Sequence, residues 1–294
     1  MAQDLNIQWF PGHMKKTQRQ MEEDLRLVDA VCELLDARIP YSSRNPDIAA
    51  LCGNKPRLVI LNRIDLADPA ATKRWADYFR STGAAVIMTD CKSRKGLNEF
   101  VPAVRGLLKE KLQRYAEKGQ VGRPLKLMVA GIPNVGKSTL INQIAKRKGA
   151  KAENRPGVTR GKQWVTVDQG LLLLDTPGIL WPRFEDPQVG MRLAYTGAVK
   201  DDILDIETLA CGLMELLWQR YPQTLKERYK IEDPEDTTGY GLLQLAGRKR
   251  GFLLARGEID TERMARILLE EYRNGKLGRM TLEMPEIYEV QDGT

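Results

Sequence analysis

The stretch GIPNVGKS, Gly131 to Ser138, constrains the fold of this chain more than any other. It fits the pattern GxxxxGK[ST], follows the short apolar run KLMVA and leads into a segment with apolar residues at helical spacing. A strand must end and a helix begin within these few residues. Successive backbone N–H groups and the helix N-terminus then form an anion nest. Gly131 and Gly136 permit the turns, Lys137 bridges outer phosphates, and Ser138 is placed to ligate magnesium. Asn134, Val135 and Thr139 complete the phosphate-binding stretch.

The same alternation runs through the preceding residues. VDAVCELLDA, PRLVILNRID and AAVIMTD read as strands, and PAATKRWADYFRST and GLNEFVPAVRGLLKEKLQRYAEKG read as amphipathic helices. Strands alternating with helices predict an α/β unit with a mostly parallel sheet covered on both faces. KQWVTVDQG and LLLLDTPG predict a two-stranded hairpin. After Pro182 the pattern changes to helices joined by short polar loops, which places a division near residue 190: a first unit over 1–190 and a helical unit over 191–294. In the second unit, Asp260 and Gly275 read as caps of a helix with an apolar stripe of Met264, Ile267, Leu268 and Tyr272. Arg263, Arg266 and Arg273 fall on its other side near the basic loop GRKRG. They form either a solvated face or a surface for RNA phosphates. The acidic tail TLEMPEIYEVQDGT reads as extended or disordered.

Lys and Arg outnumber Asp and Glu by 46 to 39, for a net charge of +7. The excess is concentrated in residues 105–126 and 146–162, which suit either solvated loops or a polyanionic partner. The cysteines are widely spaced and form no CxxC pair, so neither a zinc site nor a disulfide framework is indicated. No segment approaches a membrane span, and the expectation is a cytoplasmic protein.

Further motifs narrow the chemistry. In DTPG, Asp175 supplies an acid for the magnesium shell and Gly178 an N–H for a γ-phosphate; in RPGVTR, Thr159 has a hydroxyl that a mobile loop could bring to magnesium. NRID, comprising Asn62, Arg63, Ile64 and Asp65, resembles the NKxD element of GTPases. There the carboxylate accepts from guanine N1–H and the exocyclic amine, a pair that adenine does not offer. Arg63 stands in place of the usual Lys, with a planar cation on an aliphatic stem to cover the ring. Asp90 and Cys91, in TDCKSRKG, fall where the remaining guanine loop would supply backbone contacts.

The order of these parts is rotated, because the guanine element precedes the phosphate loop. In this the chain resembles the circularly permuted GTPases. IQWFPGHM, LDARIPYSSRNP, GIPNVGKSTLIN, RPGVT and DTPGILWP together resemble the ribosome biogenesis GTPase A family, also called YlqF. The resemblance implies a circularly permuted P-loop GTPase domain followed by a smaller all-helical domain similar to RNA-binding antiterminator-type domains. It also implies magnesium-dependent GTP hydrolysis, and binding to the maturing large ribosomal subunit and its rRNA until hydrolysis releases the factor. Neither membrane nor DNA is expected as a partner. The rival readings are a slow GTP-dependent switch that recruits a protein and the GTPase component of an RNA-modification system.

The single histidine, His13, acquires meaning from the permutation. If the sheet is preserved, the helix over roughly residues 12–27 takes the place of the switch helix, and its start lies near the γ-phosphate. The residue after DTPG is Ile179, which cannot hydrogen-bond water where many GTPases carry Gln. His13 therefore either orients the attacking water or caps its helix. Asn134 also resembles the asparagine of GTPases that recruit potassium beside the phosphates.

Overall fold

Seven consecutive residues of β1 (Ala30–Asp36) are buried, as a strand covered on both faces requires. In the computed structural model the described residues are 14–145, 164–168, 170–176, 186–199, 201, 205–232, 234–255 and 257–289. β1 pairs in parallel with β2 (Arg57–Asn62) and β4 (Leu125–Ala130), β2 with β3 (Ala85–Met88), and β4 with β6 (Leu171–Asp175). β5 (Trp164–Asp168) closes the edge antiparallel to β6, forming the predicted hairpin. The order is β3-β2-β1-β4-β6-β5. From β1 the chain winds outward through β2 to β3, and from β4 it winds the other way. The reversal opens a crevice beyond the carboxyl ends of β1 and β4, where sheets of this kind bind ligands.

One face is covered by α1 (Met14–Arg26) and α2 (Pro46–Cys52). Met21, Leu25, Ile48 and Cys52 join Val31, Met128, Ala130 and Leu174 in one apolar cluster. α3 (Pro69–Ser81) starts at Asp68, whose carboxylate accepts from Ala71 N at 2.9 Å, with Pro69 in the first turn. Its Trp75 and Phe79 pack with Leu35, Val59 and Leu61. The long amphipathic run after Gly96 forms two helices, α4 (Phe100–Leu107) and α5 (Lys109–Glu117). Between them Leu108 leaves helical geometry and stays in the core, while α5 turns outward and buries no residue.

α6 (Lys137–Ala145) follows the phosphate loop. Beyond the sheet come α7 (Pro187–Tyr195), α8 (Ile206–Arg220), α9 (Pro222–Tyr229), α10 (Gly239–Lys249), α11 (Thr261–Arg273) and the short α12 (Glu286–Glu289). α8 is central to this layer: Leu209, Leu213 and Leu217 are buried in one cluster with Leu242, Met264 and Leu268. Asp260 caps α11 by accepting from Arg263 N at 2.9 Å, and Gly275 takes φ +72 just past its end. Residue 190, near which the sequence divides, lies inside α7. α7 shares one apolar cluster with the sheet through Val189 and Leu193, so the layer is fused to the α/β unit.

Two expectations are corrected. The segment expected to be extended or disordered is docked from Thr281 to Glu289. The Glu283 carboxylate is fully buried and accepts from Tyr41 N at 2.7 Å and from Ser42, its backbone carbonyl accepts from Trp75 Nε1 at 3.0 Å, and Tyr288 stacks on Tyr41 at 3.8 Å. Arg273, read as part of a basic face, points inward. It donates to both Asp201 oxygens at 2.7 Å and to the carbonyls of Ala194 at 2.7 Å and Tyr195 at 3.1 Å. Two carbonyl and two carboxylate oxygens placed to accept from one guanidinium outweigh solvent for a fork of planar donors.

Candidate active site

The phosphate loop turns between β4 and α6 because its glycines cannot be replaced there. A Cβ on Gly131 would lie 2.7 Å from the Leu34 carbonyl, and Gly136 takes φ +107, where a Cβ would lie 2.6 Å from the Asn62 amide nitrogen. Lys137 is buried, with Nζ 3.3 Å from the Gly131 carbonyl, while Ser138 and Thr139 are exposed on the first turn of α6. Burial pushes the Lys137 amine below its usual pKa, an effect opposed by Asp175. It pushes the Asp175 carboxyl upward, opposed in turn by Lys137. Both charges are thus penalised by desolvation at the end of the central strands. An anionic phosphate beside Lys137 and a hard cation beside Asp175 would relieve both penalties. Among the described residues there is no cluster of three His, Cys, Asp or Glu able to hold a metal alone. The donors here are a hydroxyl and a carboxylate, which with phosphate oxygens suit Mg2+. Thr176 braces this corner by donating to the Val129 carbonyl at 2.6 Å.

The guanine element is joined to the loop through Asn62. Its amide donates to the Val135 carbonyl at 2.8 Å, and its Oδ1 accepts from Cys91 N at 3.0 Å and Thr89 Oγ1 at 3.2 Å. One side chain therefore fixes three loops relative to each other. The Asp90 carboxylate accepts from Lys92 N at 2.9 Å and Ser93 N at 3.2 Å, and Asp90 N donates to the Lys95 carbonyl. With both amides engaged internally, Asp90 and Cys91 shape the loop, and no backbone N–H of either is left to meet a base. Ile64 N is likewise engaged with the Thr89 carbonyl. Asp65 is exposed beyond β2, at the same edge as the phosphate loop.

Arg63 and Asn134 both adopt positive φ, at +63 and +59. The Arg63 guanidinium donates to the Asn134 carbonyl and lies 3.7 Å from Asp36. The Asn134 side chain donates to the Gly197 carbonyl at 2.8 Å, a contact from the phosphate loop to the turn after α7. His13, Thr159 and Gly178 lie outside the described residues, as do Ile179 and the second basic run. Sequence reading missed the brace at Thr176, the Thr89 hydroxyl, and the buried pair Asp36–Arg38. The signal for the pair was an acid and an arginine two residues apart at the end of an apolar strand.

The strand order, with the phosphate loop after β4 and the guanine element after β2, defines a circularly permuted P-loop GTPase domain joined to a helical layer. The chain is 48% identical to ribosome biogenesis GTPase A of Bacillus cereus, over 97% of this chain and 96% of that one. It belongs to the ribosome biogenesis GTPase A family: it hydrolyses GTP and serves the assembly of ribosomes. Residues 126–216 match the family described as 50S ribosome-binding GTPase. Mitochondrial ribosome-associated GTPase 1 of Mus musculus is 34% identical over 94% of this chain and 89% of its own length. The fold is similar to that of GNP-bound YlqF from T. maritima, with a TM-score of 0.60 and 28% identity over 92% of this chain and 99% of that one.

Proposed function

We propose that GTP hydrolysis by this chain controls its residence on the maturing large ribosomal subunit, in the cytoplasm, through contacts to rRNA. The observation that carries this reading is the hydrogen bond from Asn134, in the phosphate loop, to Gly197 in the helical layer. A residue beside the phosphates is thereby tied to the part of the molecule, residues 191–294, that faces RNA. Lys137 and the loop amides hold the phosphates, and Asp65 selects guanine, with Arg63 packed behind it. Ser138, Thr159 and Asp175 would hold Mg2+, which when bound would neutralise charge on the outer phosphates. Gly178 meets the γ-phosphate with its N–H. The Asn134 amide nitrogen is engaged with Gly197, and its oxygen is the atom left for K+; equal turnover in sodium and potassium at matched ionic strength would remove that role.

His13 orients the attacking water. Its support is topological: α1 begins at Met14, covers the face of β4 and β6, and joins β1 through a short turn at the strand's amino end. α1 therefore runs back along the sheet, and its start lies at the edge where the phosphate loop lies. His13→Ala is expected to leave GTP affinity unchanged and to lower kcat by about 10²-fold or more; a parallel loss of affinity and folding would instead assign His13 to capping. The test of the whole reading is GTP turnover with and without purified ribosomal subunits. Stimulation by large but not small subunits is expected. No stimulation would leave the slow regulatory switch, and stimulation by one free RNA alone would favour a role in RNA modification.

A further inference from the structure

A cleft of about 800 Å³ opens at the far end of the sheet from the nucleotide site. Asp29 and Pro56, which immediately precede β1 and β2, form its floor, and α5 forms its wall. A six-residue strand spans roughly 20 Å, so an occupant here does not compete with one at the phosphate loop. Lys55, Lys109, Lys111, Arg114, Lys118 and Arg123 line the cleft against only Asp29 and Glu110.

These cations divide by what they already do. Lys111 pairs with Asp29 at 2.5 Å, and Lys55 donates to the Val28 carbonyl at 2.9 Å, so both fasten the wall to the floor. Arg123 covers the Tyr115 ring at 4.8 Å and donates to Gln120. Among the described residues Arg114 has only an exposed partner, Glu110 at 3.4 Å, a pair of little worth in water. Lys109 and Lys118 are exposed and have no carboxylate within ion-pair distance among the described residues. From Lys109 to Lys118 the charges extend along about 14 Å of helix. Leu112 and Tyr115 rest α5 against the core, but Lys109, Arg114 and Lys118 are exposed, so packing does not account for these cations.

We infer that this cleft is a docking surface for the phosphate backbone of structured RNA. The inference rests on the ribosomal reading above and adds a surface to it, at the end of the sheet opposite the nucleotide. A linear polyanion meets Lys109, Arg114 and Lys118 in series, which a single phosphate or carboxylate cannot do. A flat lipid surface does not enter a cleft. Contact of this kind fixes position on an RNA without reading its sequence.

The test compares the wild-type chain with Lys109→Glu/Lys118→Glu in two measurements: fluorescence anisotropy with a short labelled RNA duplex over a salt series, and GTP turnover titrated with large subunits. Basal turnover is expected to match wild type. Duplex affinity should fall about tenfold or more at low salt, and the slope of log K against log salt should lessen by about two, one for each lost phosphate contact. The subunit concentration for half-maximal stimulation should rise while maximal turnover holds. Unchanged duplex affinity and slope would overturn the cleft, even where subunits stimulate both proteins, which leaves the ribosomal reading standing. Loss of duplex binding in a protein that subunits fail to stimulate would uphold the cleft and sink that reading. Displacement of the duplex by polyglutamate at equal charge would overturn the assignment to RNA.

Discussion

Asp36 sits under opposing forces whose balance decides its charge. Burial alone would raise its carboxyl, but the Arg38 guanidinium, donating at 2.9 and 2.8 Å, and the nearby Arg63 hold it below the ordinary value of 3.8. Arg38 is itself fully buried, so Asp36→Asn leaves a guanidinium without its counter-ion. The substitution is expected to cost about 3–5 kcal/mol in chemical denaturation. Its pH dependence has a definite sign. A folded-state pKa below the unfolded one contributes stability that is complete above the unfolded value and is lost as pH falls through the folded value. The gap between wild type and Asp36→Asn should therefore be level from about pH 5 upward and close in strong acid. Asn62 offers a complementary lesson: its position in NRID marked it for the nucleotide site, and its side chain also joins the phosphate loop at Val135 to the turn at Thr89 and Cys91. Local pattern identifies a residue's neighbourhood well, but not which neighbour takes its hydrogen bonds.

Among the elements, those with local causes were legible. The phosphate loop, the capped α3 and α11, and the β5–β6 hairpin follow from glycine, cap and alternation signals within a few residues. The docked tail was not, because its causes are distant in sequence. Glu283 is held by Ser42 and lies 3.4 Å from Arg192, and Tyr288 reaches both Tyr41 and Arg192. Read alone, the segment is acidic and short of apolar residues. Tyr288→Ala removes a nearly buried ring from between the layers and is expected to cost about 3 kcal/mol, visible as a lowered Tm. An unchanged Tm would mean that the tail rests on the surface without fastening it. Leu108 is a second case: periodicity ran through it, and the break arises from the need to keep this side chain in the core as α5 leaves.

At the scale of the molecule, polar contacts close a ring around the crevice. Asn134 bonds Gly197, and Arg273 bonds the last carbonyls of α7. Arg38 donates to the Arg273 carbonyl at 3.4 Å and holds Asp36, beside which lies Arg63, bonded back to Asn134. The ring passes through the phosphate loop, the guanine element and the helical layer. At saturating nucleotide, Asn134→Ala should reduce by about 1 kcal/mol the difference in hydrogen-exchange protection of α7 and α11 between GTP- and GDP-bound states. An undiminished difference would show that the layer responds through packing alone. The permuted order was legible from the motifs, since NRID stands ahead of GIPNVGKS, and the sheet order accounts for it physically.

That order also governs how the chain folds as it is made. β1, β2 and β3 leave the synthesising machinery first, with the inner edge of β1 open until β4 arrives after α4 and α5. An unpaired apolar edge in the middle of a future sheet is prone to wrong pairing for as long as it waits. The half that recognises the base is thus complete while the half that holds phosphate does not yet exist. Nascent chains of this protein should accordingly remain nucleotide-free and aggregation-prone until β4 and α6 have emerged.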